Sequence, residues 1–133
     1  MIRNRKSAIL IASLFAILLA SCQKEAGSGG NSSISGAVHV TDYNVNMLVI
    51  QGTYMGADEW VYIVYGDDVS YSDRIRTGPD GRFEFKYLRK GDYTLYVYAE
   101  DTTLAGQTAV VKRVEITRNK QKVDAGTFEI SKL

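Results

Sequence analysis

The chain has 133 residues, 45% of them hydrophobic and 23% charged, with a formal net charge of +1. Those proportions fit one ordinary globular domain rather than a disordered or fibrous chain, and a single cysteine rules out an internal disulfide. Arg3, Arg5 and Lys6 carry the positive excess; without residues 1–21 the net charge falls to −2, and a slightly acidic body gives no electrostatic reason to expect nucleic acid, which needs clustered Lys and Arg.

The N-terminus reads as an export signal. A basic start, "MIRNRK", precedes the apolar run "SAILIASLFAILLAS", which is too short to span a bilayer and is followed by Cys22. Leu19-Ala20-Ser21-Cys22 resembles the bacterial lipobox, in which the cysteine is lipidated and becomes the mature N-terminus. The resemblance implies a signal peptide over 1–21 and an acyl anchor on Cys22, stable when more than one chain is attached. Gln23, not Asp, follows the cysteine, which by the same resemblance points to the outer membrane, at its periplasmic face or the cell surface. Residues 22–33, ending "QKEAGSGGNSS", are rich in Gly and Ser with no large apolar side chain, and are expected to form a flexible tether.

From Ile34 to Leu133 the pattern is that of β-structure. Short runs rich in Val, Ile, Thr, Tyr and Phe are separated by Gly, Asp and Asn, and helical periodicity is nearly absent. Strands are expected near 35–42, 46–54, 60–66, 72–77, 81–87, 92–99, 108–117 and 122–130. Seven or eight such strands predict a single antiparallel β-sandwich, all-β and prealbumin- or immunoglobulin-like. "TGPDGRF" is a turn: Pro79 sets its own φ, Asp80 bonds neighbouring backbone and Gly81 accepts positive φ. "RKGDY" is a second turn, and "TRNKQK" is expected to close a hairpin. Alternation places Phe83, Phe85 and Tyr87 on one face of their strand. The expected core is Phe83, Phe85, Leu88, Tyr93, Leu95 and Val97.

With "ISGAVHVTDY", "VYIVYG" and "RTGPDGRFEFKYLRKGDYTLYVYAED", the body resembles the transthyretin-like or carboxypeptidase-regulatory-like group, with which collagen-adhesin B-type repeats share features. The strongest piece is D-G-x-F-x-F-x-x-L-x-x-G-x-Y-x-L, here Asp80 through Leu95. The resemblance implies the sandwich, and leaves the role open because such folds host many functions. The isopeptide cross-link of adhesin repeats lacks its first-strand Lys here, and "GTFEI" has no Asn or Asp. The hydrolases of the transthyretin-like group end in Tyr-Arg-Gly-Ser and use several histidines, whereas this chain ends "FEISKL" and has one. A metallocarboxypeptidase domain would not fit in this length.

Little else carries chemistry. His39 has no Cys or His companions for zinc, and reads as a strand histidine on the less buried face. No G-x-S-x-G elbow or phosphate loop is present. Asp67 and Asp68, with Asp73 beyond, lack the order of a calcium loop and read as a solvated turn. "DTTL" at 101–104 resembles a short bacterial O-glycosylation signal. No cofactor or metal is expected. The aromatic surplus, nine Tyr, four Phe and one Trp, is the functional clue. If Trp60, Tyr62, Tyr96 and Tyr98 face water together, they form a platform for a sugar ring or a peptide. The expected role is a non-catalytic binding, adhesion or accessory module. Its alternatives are a glycan-binding helper for nutrient uptake and a hydrolase accessory protein with weak activity.

Overall fold

Side chains that alternate apolar and polar along short strands can be buried only if two sheets stack with their apolar faces together. The computed structural model has this arrangement and describes residues 25–46, 48–101 and 106–133. The signal sequence, Cys22 and most of the DTTL segment lie outside the described residues. Eight strands follow in order: β1 (Ser28–Tyr43), β2 (Ile50–Met55), β3 (Trp60–Tyr65), β4 (Asp73–Arg76), β5 (Arg82–Leu88), β6 (Gly91–Glu100), β7 (Gln107–Ile116) and β8 (Lys122–Lys132). No helix occurs among the described residues.

The first sheet is built around β1. Along one edge β1 pairs antiparallel with β5 through Ser28–Ala37, then with β2 through His39–Tyr43. Its other edge pairs with β8, from Ser33 opposite Lys122 to Asp42 opposite Lys132, and this pairing is parallel. The second sheet, β4-β3-β6-β7, is antiparallel throughout. Between the sheets lie Ile34, Val38, Val40, Phe83, Phe85, Leu88, Phe128 and Ile130, facing Val61, Ile63, Tyr93, Leu95, Val97 and Ile116. All six side chains expected in the core are there.

Where β2 hands over to β5, the Val38 amide donates to the Gly81 carbonyl at 2.8 Å and its carbonyl accepts from the Gly56 amide at 2.8 Å. Gly81 has φ +75°, and a Cβ there would lie 2.9 Å from the Val38 oxygen, so the PDG turn requires glycine for both reasons. The Arg82 amide also donates to the Asp80 carboxylate at 3.1 Å.

Three expectations are corrected. The tether was expected to run through residue 33, but β1 starts at Ser28, and Ser32 and Ser33 are buried. The segment is held by hydrogen bonds rather than by apolar burial, which a composition argument overlooks. The Ser32 hydroxyl donates to the Arg118 carbonyl and accepts from the Gln121 amide, and the Asn31 carboxamide accepts from the Lys120 amide. Gly30 lies against β5 so closely that a Cβ would fall 2.1 Å from the Leu88 carbonyl oxygen. Second, "TRNKQK" carries the chain from β7 in one sheet to β8 in the other, so it is a crossing and not a hairpin. Third, Tyr87 does not share the inward face of Phe83 and Phe85. It adopts φ +59° and is 71% exposed, and this break in the alternation lets Leu88 turn inward.

Tyr93 ties the corner between β5 and β6. Its hydroxyl donates to the Arg89 carbonyl four residues upstream at 2.6 Å and accepts from the Gly27 amide at 2.9 Å. A tyrosine that bonds backbone a few residues before it is a recurrent corner device of sandwich folds.

Candidate functional site

Strands β3 and β6 lie at the centre of the second sheet, and their period-two alternation sends Val61, Ile63, Leu95 and Val97 inward. The opposite face therefore carries Trp60, Tyr62, Tyr96 and Tyr98. Register sets Tyr62 directly across from Tyr96, and their rings stack with centroids 4.9 Å apart and planes 4° from parallel. Tyr98 meets both rings edge-on at 5.5 Å. Tyr71, which the sequence reading did not single out, closes the group at 5.0 Å from Tyr62. Tyr71 and Tyr98 are 44% and 43% exposed; Tyr62 and Tyr96 are half-buried. Burial, followed by the neighbouring Tyr98, Tyr62 and Tyr71 hydroxyls, pushes the Tyr96 phenol above the ordinary tyrosine range.

Trp60 belongs to the same face but in a different setting. The β3–β4 register brings Arg76 opposite Trp60 and Arg74 opposite Tyr62, and the two guanidinium carbons lie 4.2 and 4.1 Å from the Trp60 ring centre. Its π-surface is thus already engaged by cations. Arg76 also pairs with the Asp58 carboxylate at 3.1 Å. Buried Thr77 seats the turn ahead of Trp60: its hydroxyl donates to the Gly56 carbonyl at 2.5 Å and accepts from the Glu59 amide at 2.9 Å.

The aromatic face borders a cleft of about 310 Å³ at the end of the sandwich. Trp60, Tyr62 and Tyr98 line it together with Glu59, Glu100, Gln107 and Lys132, and the Lys132 ammonium donates to the Glu59 carboxylate. Aromatic rings beside carboxylate, carboxamide and ammonium groups can stack on an apolar ring face while bonding its hydroxyls. A larger cleft of about 510 Å³ at the Gly66–Asp92 end is lined by Asp67, Asp92, Arg113 and Glu115 and by the buried Tyr93. It offers no exposed aromatic surface.

The other singled-out residues stand apart from this site. His39 lies on the first sheet, where register faces it with Glu129 and its Nδ1 is 2.6 Å from that carboxylate. The Asp68 carboxylate accepts from the Ser72 hydroxyl at 2.8 Å, and that hydroxyl accepts from the Tyr65 amide. The Asp67–Ser72 loop thereby positions Tyr71. Among the described residues no three His, Cys, Asp or Glu side chains converge to hold a metal ion. Tyr71 was missed because it lies outside any strand, and the cleft's Glu59, Glu100 and Lys132 because they come from three separate parts of the chain, the turn before β3, the end of β6 and the end of β8.

Among solved structures, the chain resembles a candidate carbohydrate-binding protein of Pseudomonas aeruginosa. The match has 13% identity and a TM-score of 0.48, over 85% of this chain and 94% of that one. It also resembles a 9R-lipoxygenase from Cyanothece at 18% identity and a TM-score of 0.41, over 77% of this chain but only 16% of that enzyme. No curated protein sequence matches. A family match covers residues 49–124, more than half of the chain, from the loop before β2 into β8, and carries the description polysaccharide lyase family 4, domain II. The family differs from the group the D-G-x-F motif resembles, while both describe β-sandwiches. The chain belongs to the polysaccharide lyase family 4 domain II family.

Proposed function

We propose that this protein is a non-catalytic glycan-binding module, displayed at the bacterial outer membrane by a lipid on Cys22. The observation that carries the reading is the Tyr62–Tyr96 stack with Tyr98 and Tyr71 at its edges, beside a polar cleft. A sugar ring has apolar C–H faces and a hydroxylated rim, and this surface matches both: rings for the faces, Glu100 and Gln107 for the rim. Membership of a family named for a polysaccharide lyase domain supports a glycan over a peptide. The sandwich likeness to the transthyretin-like and carboxypeptidase-regulatory-like group is compatible with an accessory role.

Affinity electrophoresis through gels cast with soluble polysaccharides tests this. The wild-type chain should be retarded by at least one of them. Tyr98→Ala and Tyr71→Ala, both at exposed positions, should each weaken binding about tenfold, as loss of an aromatic contact usually does. Unchanged mobility in every gel, or retardation that both substitutions leave intact, would sink the proposal. Release of products that His39→Ala abolishes would identify an enzyme instead.

A further inference from the structure

The chain enters the sandwich between two basic turns. On one side the Arg89 amide donates to the Gly27 carbonyl at 2.8 Å, and Gly30 lies against the backbone of Leu88 and Arg89. On the other, Asn31 and Ser32 bond the backbone of Arg118, Lys120 and Gln121. Residues 27–32 therefore run between Arg89 and Lys90 in the β5–β6 turn and Arg118, Lys120 and Lys122 around the β7–β8 crossing.

Lys90, Arg118, Lys120 and Lys122 are exposed and Arg89 is half-buried. None of the five forms an ion pair among the described residues. No acid stands between Arg89 and Lys90 or within 117–122. Tyr87 closes β5 at the same end, and its left-handed backbone sets the ring outward, 71% exposed. A large ring with a polar tip suits the boundary between lipid and water. The acids of this end, Glu25, Asp67, Asp68, Asp92 and Glu115, gather instead beside the second sheet. The end is thus divided, with cations on the first-sheet side and carboxylates on the other.

We infer that the first-sheet side of this end is a membrane-contact face, its two basic turns set against the phosphates of an anionic phospholipid bilayer with Tyr87 at the interface. The choice of occupant rests on the lipid anchor proposed at Cys22. That residue stands four positions before Ala26, which packs against the core, so the chain between them reaches at most about 14 Å. So short a connection lays this end, and no other, against the bilayer. Each basic residue near an anionic surface strengthens binding about fivefold, and acyl chains hold more firmly with a basic second signal. β6 runs from Gly91 at this end to Glu100 at the aromatic cleft, about 30 Å away, so the candidate glycan site points away from the membrane.

Vesicle flotation of the full chain carrying Cys22→Ala tests this with no acyl chain present. The probes are vesicles of phosphatidylcholine alone and of phosphatidylcholine with about one-third phosphatidylglycerol. The neutral set reports any contribution of the apolar run in residues 1–21. At low salt the chain should bind the anionic vesicles about tenfold or more tightly than the neutral ones, and high salt should remove the difference. Lys90→Glu and Arg118→Glu, one in each turn, should each weaken anionic binding about tenfold. Arg82→Glu, the same charge change at the opposite end of β5, should not. Circular dichroism should show all three variants folded. Equal binding to the two vesicle types overturns the inference, as does a preference that Lys90→Glu and Arg118→Glu leave intact or that Arg82→Glu weakens as much. A failed anchor shows elsewhere, as wild-type chain that does not pellet with membranes, so the two failures are separate results.

Discussion

Tyr93 shows how much one hydroxyl can organise. It is 1% exposed and satisfies the Gly27 amide and the Arg89 carbonyl, so Tyr93→Phe leaves a buried amide and a partly buried carbonyl without that partner. The expected cost is about 1–3 kcal/mol in urea unfolding. Desolvation raises its phenol above the ordinary value of 10.0, outweighing the Gly27 and Arg89 contacts that lower it. The folded state therefore holds its proton more tightly than the unfolded one. Its contribution is complete below pH 10.0 and is lost as pH rises through the folded value. Unfolding midpoints measured at about pH 8 and about pH 11 should fall further apart for the wild type than for Tyr93→Phe. Equal falls would remove Tyr93 as the source. The inward position of this residue was legible, because alternation through Tyr93, Leu95 and Val97 requires it. Its partners were not, since Gly27 lies 66 residues away and glycine leaves no trace in a hydrophobic pattern.

At the scale of elements, the strand pattern was legible wherever burial drives pairing, which is why β3 to β8 fall close to their expected spans. It failed at the start of β1. There "SGGNSS" forms strand through hydrogen bonds and close backbone approach, and neither has a period in sequence. Gly30→Ala tests this account. The added methyl meets the Leu88 backbone and cannot be relieved by a rotamer change, so a cost of about 1–3 kcal/mol is expected. Hydrogen exchange should show residues 28–33 losing protection while Leu95 and Val97 keep theirs. Unaltered protection at 28–33 would mean that the close approach is not needed. The aromatic site was half legible for the same reason. Tyr62, Tyr96 and Tyr98 follow from strand alternation, whereas Tyr71 and the cleft's Glu100 and Lys132 converge only through tertiary structure.

For the whole molecule, the proposed display at the outer membrane rests on Cys22, four residues before Ala26, which packs against the core. Expressed in a Gram-negative host, the wild type should pellet with membranes, and Cys22→Ala should move to the soluble fraction while still binding the same polysaccharide gel. A variant that still fractionates with membranes would remove the lipid anchor from the account. Loss of gel binding in the soluble variant would instead tie recognition to the membrane.

The parallel pairing of β1 with β8 also has a mechanical consequence. The chain enters the sandwich at the start of β1 and leaves at the end of β8, and these points lie at opposite ends of one ladder. Tension between them pulls the two strands past each other along their length. Their hydrogen bonds, from Ser33–Lys122 to Asp42–Lys132, are then loaded together rather than opened one after another. β5 grips the other edge of β1 over Ser28–Ala37, so the first strand resists drag on both sides at once. A sandwich strung this way is suited to staying folded while it is pulled at its ends.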